Sequence, residues 1–259
     1  MRPPRLIGVA AMCMAWLLVV IWPVASLARG AIRGAGVIRF RSALWQEIGD
    51  ALVLAVTVTL GVWMVLWGGM RLYNKRPRLS GWRRTTMSAV RSAAILLLLP
   101  GLLGSLALGL TIFEICQRLG VQPSYSPVPL VVGMVLFLLP RGMALQAMLR
   151  RNERQAGVFL AESLAKLPGP RERMGAAILW RIRDAGRFWT LALLFWWSYL
   201  ELTLPALLRP AGMAPAPLRL YNFLHYGHIP GLAAMLAVVL AVPVVLLAVG
   251  RDLWSLRDR

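Results

Sequence analysis

Six long apolar runs constrain this chain more than any other feature of its sequence. Each is about 20 residues long, the length that an α-helix needs to cross the roughly 30 Å hydrocarbon core of a bilayer. Apolar residues make up 59% of the 259 residues, against about 45–50% in soluble domains. The runs therefore predict an all-α, multi-pass membrane protein. Its spans are expected at about 6–28, 51–70, 92–113, 128–148, 188–208 and 229–249.

The basic residues between the runs predict how the spans are oriented. With a cytoplasmic N-terminus, 22 of the 29 basic residues fall on the cytoplasmic side and seven on the other. Cytoplasmic loops carry the excess of Lys and Arg, so both termini are expected in the cytoplasm. The basic residues are spread among the loops, so the net charge of +19 indicates topology and not nucleic-acid binding. No stretch between runs exceeds about 40 residues, and one transmembrane domain over 1–259 is predicted.

The first apolar run has two interpretations. Two arginines precede it and it ends in VASLA, a small-residue pattern compatible with cleavage by a signal peptidase. The run is longer than the apolar part of a typical signal and contains Trp16, Trp22 and Pro23. We therefore expect it to be retained as the first span.

Several residues inside the predicted spans are poorly tolerated by lipid. Pro100-Gly101 breaks the backbone hydrogen bonds of the third span, which requires cover by neighbouring helices. Arg141 would cost about 2.5–3.5 kcal/mol at the centre of a bilayer, so we expect it near an end of the fourth span or facing a polar interior. Glu201 either faces the bundle interior, as intramembrane carboxylates do by default, or lies at the outer interface close to Arg209.

The sequence lacks the common motifs of enzyme chemistry. Neither lysine, Lys75 or Lys166, follows a glycine, so there is no Walker A pattern and no ATP hydrolysis is expected of this chain. HExxH, CxxC and the nucleophile elbow are also absent. His225 and His228 have the spacing to touch a metal, but packing beside Tyr226 at the membrane surface is the preferred interpretation. No metal and no cofactor are predicted.

The longest polar interruption, residues 150–187, predicts two short amphipathic helices. In the first helix, leucines at i, i+4 and i+7 form an apolar stripe, and a Glu–Lys pair at i, i+4 lies on the polar side. The stripe consists of Leu160, Leu164 and Leu167, and the pair is Glu162 and Lys166.

The sequence LPGP at 167–170 ends that helix, and a second is expected from about Arg171. Met174, Ile178 and Ile182 would share one face of the second helix. Two short helices at a sharp bend form a compact projection that a soluble partner can bind. The alternative is a loop lying flat on the bilayer, held by its arginines.

This loop resembles the ATPase-coupling loop of the membrane subunits of binding-protein-dependent ABC importers. Before its penultimate span, that family carries Glu-Ala-Ala, three residues, Gly, nine residues, Ile, one residue and Leu-Pro. Glu162 and Ile178 match the pattern. The departures are Ser163-Leu164 for the two alanines, Pro168 at the glycine position with Gly169 one residue later, and Trp180-Arg181 for Leu-Pro.

The C-terminal part is similar to the ferric-iron and thiamine permeases of that family. That group carries a glutamate–leucine pair, a leucine-rich turn ending in Pro-Gly, and an arginine–tyrosine–histidine–tyrosine–glycine stretch on the outer face. The resemblance covers about residues 45–250 and includes Pro100-Gly101. The matching residues are Glu201-Leu202, LLRPAG at 207–212, Arg219, Tyr221, His225, Tyr226, Gly227 and Ala233-Ala234.

The resemblance implies a type I permease core of six helices in the bacterial inner membrane. It implies a path for a small polar solute, ferric iron being favoured, for which Pro100, Gly101 and Glu201 are candidates. The implied partners are an ABC ATPase subunit, a solute-binding protein, and a second permease subunit that is a copy or a sister chain, all in contact with membrane lipid. The residues expected to couple to the ATPase are Leu160, Glu162, Ser163, Leu164, Lys166, Leu167, Gly169 and Ile178.

Two other classes stay open. The departures at the Gly and Leu-Pro positions suggest a non-transporting membrane scaffold or regulator derived from the same fold. An intramembrane enzyme that depends on Glu201 is the second alternative.

Overall fold

The computed structural model describes residues 3–39, 43–74, 99–152, 155–180, 182, 185–227 and 229–257. Within these ranges the chain forms helices joined by short turns and contains no strand. The all-α prediction is therefore confirmed for the described residues.

The helices are numbered here in chain order. A continuous N-terminal helix comprises α1 (Pro3–Trp16), a π-helical stretch (Leu17–Ile21) and α2 (Trp22–Arg39). Next come α3 (Ala43–Asn74), α4 (Ser105–Arg118), a 3₁₀ turn (Pro123–Tyr125), α5 (Val128–Asn152), α6 (Gln155–Ala165) and α7 (Pro170–Leu179). The chain continues with α8 (Ala185–Leu200), α9 (Thr203–Leu208), α10 (Ala216–His225) and α11 (Ile229–Arg257).

In the described part of the chain, four helical stretches are long and apolar enough to cross a membrane. They are Ala11–Gly36, Ala43–Gly69, Val128–Leu149 and Gly231–Asp252. These stretches overlap the first, second, fourth and sixth predicted spans, and they indicate a membrane protein. The first two are parts of longer helices, because α2 continues to Arg39 and α3 already begins at Ala43. The count of six spans and the cytoplasmic position of both termini stay predictions.

The third predicted span is interrupted at a different place from the one expected. Its part at 92–98 lies outside the described residues. Pro100 and Gly101 lie within a short helical stretch, and the interruption follows at Leu103-Gly104. Gly104 has φ +89°, a backbone conformation that glycine adopts without steric cost. The break expected at the Pro-Gly pair therefore lies three residues further along.

The fifth predicted span, 188–208, is two helices and not one. α8 ends at Leu200, Glu201 and Leu202 are not helical, and α9 begins at Thr203. Glu201 therefore does not lie in the middle of a helix, because it occupies the junction between two.

Two apolar clusters hold the bundle together. α3 and α8 contribute side chains to both of them, so these helices lie at the centre of the described bundle. In a bilayer, close packing supplies this cohesion, because lipid is as apolar as the side chains. The first cluster includes Val58, Val62, Leu108, Met134, Leu194 and Leu204, and the second includes Ile48, Ala55, Tyr199, Ala216, Met235 and Val239.

The N-terminal helix packs on α11 through small residues. A Cβ atom added to Gly30 would lie 2.6 Å from Cβ of Ala233, so the two backbones approach closely there, as small residues permit in membranes. The side chains at 11–26 are exposed. In this single chain, the N-terminal helix is therefore anchored through its second half.

Candidate functional site

α6 and α7 form a helical hairpin, which lies between α5 and α8 in the sequence. The chain turns at 166–169, where Gly169 has φ +93°. The sequence pattern predicted two short helices divided at LPGP, and two helices divided there are present. Since a positive φ favours glycine, Gly169 and not Pro168 provides the bend.

The two helices of this hairpin touch through small residues. The side chain of Ala161 is fully buried. A Cβ added to Gly175 would lie 2.8 Å from the carbonyl oxygen of Ala161 and 2.8 Å from Cα of Ala165. α7 therefore lies directly on the backbone of α6. This contact was not predicted from the sequence, although two alanines spaced i, i+4 opposite a glycine were a signal for it.

The hairpin exposes large apolar side chains. Phe159 is 74% exposed, Leu160 is 60% exposed and Met174 is 59% exposed. The expected leucine stripe is thus only partly covered. Among the other residues expected to couple to an ATPase, Glu162, Ser163, Lys166, Leu167 and Gly169 are exposed, and Leu164 and Ile178 are half-buried.

Glu201 caps α9 from the junction with α8. Its Oε1 atom accepts hydrogen bonds from the backbone N–H of Thr203, at 3.1 Å, and of Leu204, at 3.5 Å. The first N–H groups of a helix have no partner within the helix, so the carboxylate satisfies two of them. Leu204 and Leu208 of α9 are fully buried in the first apolar cluster. Glu201 therefore lies between the two helices and caps the second one, next to the first apolar cluster.

Gly101 packs against the proline of α5. A Cβ added to Gly101 would lie 2.5 Å from the carbonyl oxygen of Leu136 and 2.6 Å from Cγ of Pro140. Proline has no N–H, so the carbonyl of Leu136 loses its usual partner in the helix. The short helical stretch that contains Pro100 thus covers this defect in α5. Gly101 therefore lies against α5, whereas Glu201 caps α9.

Two acidic residues near the start of α3 contact α10 and the segment that leads into it. Nε of Arg219 lies 3.3 Å from Oε1 of Glu47, whose side chain is almost fully buried. Oδ2 of Asp50 accepts a hydrogen bond of 3.1 Å from the backbone N–H of Ala214. Arg219 was predicted from the sequence as a site residue, and the two acids were not. The i, i+3 spacing of Glu47 and Asp50 in WQEIGD, directly before the apolar run 51–70, was the available signal.

The other residues expected on the outer face form an aromatic group at the end of α10. The rings of Tyr221 and His225 are stacked at 6.2 Å, and Tyr226 meets His225 edge-on at 5.3 Å. All three side chains are exposed, and Gly227 follows with φ +70°. His228 lies outside the described residues. Over the part of the chain that the structure describes, no three His, Cys, Asp or Glu side chains are grouped as metal ligands.

No protein-family model matches this chain, and no curated protein matches it in sequence.

Proposed function

We propose that this chain is the membrane permease subunit of a binding-protein-dependent ABC importer in the bacterial inner membrane. The observation that carries the proposal is the helical hairpin α6–α7, which lies between two bundle helices and has exposed apolar side chains at its surface. A hairpin of this kind can enter a groove of a soluble partner through its apolar face. The motif resemblance of the same segment assigns that partner as an ABC ATPase.

The proposed mechanism is alternating access driven by the partner. ATP closes an ATPase dimer, the hairpins of two permease subunits move with it, and the spans change from inward-facing to outward-facing to receive the solute. A ligand shifts such an equilibrium only by its different affinity for the two states. The chain itself does not hydrolyse ATP in this scheme. A binding protein delivers a small polar solute, and the resemblance favours ferric iron.

The hairpin gives the proposal a direct test. Leu160 is 60% exposed, so Leu160→Arg adds a charge to the docking surface without entering the core. Leu119→Arg is the matched control, because Leu119 is 71% exposed on the connection after α4, far from the hairpin in sequence. Both full-length variants are purified from their native membrane together with any bound ATPase. ATP hydrolysis stimulated by solute and binding protein should be lost in Leu160→Arg and kept in Leu119→Arg.

A non-transporting scaffold is the second candidate, and the Trp180-Arg181 departure from the family pattern favours it. It predicts that the chain binds its partner without solute-stimulated ATP hydrolysis. Unchanged hydrolysis in Leu160→Arg would contradict the coupling role of the hairpin, and no stimulated hydrolysis in the unmodified complex would favour the scaffold.

A further inference from the structure

Arg141 lies deep within a stretch that is able to cross the membrane. It is inside α5, in the apolar stretch Val128–Leu149. At a rise of about 1.5 Å per residue, its Cα lies roughly 20 Å from Val128 and roughly 12 Å from Leu149 along the helix. The side chain is half-buried. The nearer end of the stretch is therefore the one toward the hairpin.

The guanidinium of Arg141 points away from that nearer end. Its Nη1 atom donates a hydrogen bond of 2.9 Å to the carbonyl oxygen of Phe137, and its Cζ atom lies 3.9 Å from the centre of the Phe137 ring. Phe137 is one turn closer to Val128, and it is 7% exposed in the first apolar cluster. An arginine that escapes the hydrocarbon extends toward the nearer surface. Arg141 instead holds its charge near the middle of the stretch.

No carboxylate compensates this charge within the described residues. The described acids nearest to hand make other contacts: Glu47 faces Arg219, Asp50 accepts from Ala214, Glu114 pairs with Arg118, and Glu201 caps α9. A guanidinium has five N–H donors, and the described contacts of Arg141 use one of them on a protein oxygen. A cation at this depth is costly and marks a solute path by default. A bound anion offsets that cost.

We propose that Arg141 binds an oxyanion group, a carboxylate or a phosphate, of the solute that crosses this bundle. The inference rests on the proposed transport function and names the chemical class of its substrate. A guanidinium matches carboxylate and phosphate oxygens in a two-pronged geometry, whereas it repels a bare metal cation. If the solute contains ferric iron, the iron passes Arg141 as a complex with net negative charge. Lipid headgroups lie at the membrane surface, far from the depth of Phe137.

The test measures binding to the full chain without an ATPase. The purified chain is placed in nanodiscs of uncharged phosphatidylcholine at physiological salt, and citrate, ferric citrate and inorganic phosphate are titrated by calorimetry. The unmodified chain should bind at least one of these probes. Arg141→Gln should weaken that binding at least about tenfold, because a hydrogen bond to a charged group is lost. Arg118→Gln is the control, since Arg118 is exposed and paired with Glu114, and it should bind like the unmodified chain.

Arg141→Lys provides a second variant if the glutamine chain does not insert. Lysine keeps the positive charge but lacks the planar guanidinium that pairs with two oxygens at once. The affinity for the anion should therefore fall several-fold. Equal affinity in either variant, or no binding by the unmodified chain, overturns the proposal. Equal weakening in Arg118→Gln also overturns it, because binding would then be unspecific attraction to basic residues. These outcomes leave the hairpin test unaffected, and Leu160→Arg should bind the anion normally even if its coupling is lost.

Discussion

Arg219 and Glu47 join two distant parts of the chain through a largely buried ion pair. Nε of Arg219 lies 3.3 Å from Oε1 of Glu47. That Nε atom is buried and has no aligned hydrogen-bond acceptor within the described structure, so this contact is chiefly electrostatic. Next to it, Asp50 binds the backbone of Ala214. The start of α3 therefore carries the acidic residues that fix α10 to the bundle.

Removing the charge of Glu47 should loosen α10. Glu47→Gln leaves the Arg219 guanidinium facing a neutral group, and breaking a fully buried ion pair by removing one partner costs about 3–5 kcal/mol. The partial exposure of Arg219 reduces this cost through solvent screening. The thermal midpoint of the purified chain in detergent should fall by several degrees.

A double variant checks that the effect comes from the pair. Glu47→Gln combined with Arg219→Gln should cost less than the sum of the single changes, since the contact is lost only once. Glu114→Gln is the matched control, because its pair with Arg118 is exposed and such pairs contribute about 0–1 kcal/mol. Additive effects in the double variant would contradict a direct contact.

Substitutions at Glu201 should separate a capping role from a catalytic one. Glu201→Gln keeps an oxygen that accepts from Thr203 and Leu204, so stability and function should be nearly unchanged. Glu201→Ala removes the acceptor and should cost about 0.5–2 kcal/mol, as for other lost helix caps. Thermal midpoints and solute uptake measure the two effects. Loss of solute uptake in a stably folded Glu201→Gln chain would favour a role in the solute path. Loss of an activity that the purified chain shows without any ATPase would favour the intramembrane enzyme.

Gly175 and Gly68 form a matched pair for testing the hairpin. A Cβ at Gly175 would lie 2.8 Å from the carbonyl oxygen of Ala161, whereas a Cβ at Gly68 meets nothing within 4 Å. Gly175→Ala should separate α6 from α7 and cost about 1–3 kcal/mol through overpacking. Gly68→Ala should be neutral or slightly stabilising, because alanine favours helix. Limited proteolysis of the hairpin reports the difference, and equal cleavage of both variants would argue against the close contact.

The sequence predicted the parts of the fold that depend on apolar length and on chain breakers. Runs such as 128–148 specify a helix because every backbone group in hydrocarbon must be paired within the chain. The bend at Gly169 was predicted from LPGP, because proline and glycine interrupt a helix at the position where they occur. The helix that continues to Arg39 was not predicted, because a mixed polar stretch resembles a loop when its packing on α11 is unknown.

The candidate site was predictable only where its signals are local. Arg219 was identified through its place in the arginine–tyrosine–histidine–tyrosine–glycine stretch. Its partner Glu47 lies far away in the sequence, and a single sequence does not show that two such residues are in contact. Glu201 was placed inside a span because its neighbours are apolar. A side chain that caps the next helix looks identical in sequence to one that faces a path, so the junction at Thr203 required the structure.

The contact between Gly101 and α5 gives a prediction about the bundle itself. A Cβ on Gly101 would lie 2.5 Å from the carbonyl oxygen of Leu136 and 2.6 Å from Cγ of Pro140, neither of which is the end of a flexible side chain. Gly101→Ala should therefore push the short helical stretch away from α5 and uncover the carbonyl that Pro140 leaves unpaired. The expected cost is about 1–3 kcal/mol, seen as a lower thermal midpoint in detergent. Gly49→Ala is the control, because Gly49 lies in α3 with nothing within 4 Å of an added Cβ. A Gly101→Ala chain as stable as the Gly49→Ala chain would show that this contact does not hold the short helical stretch against α5.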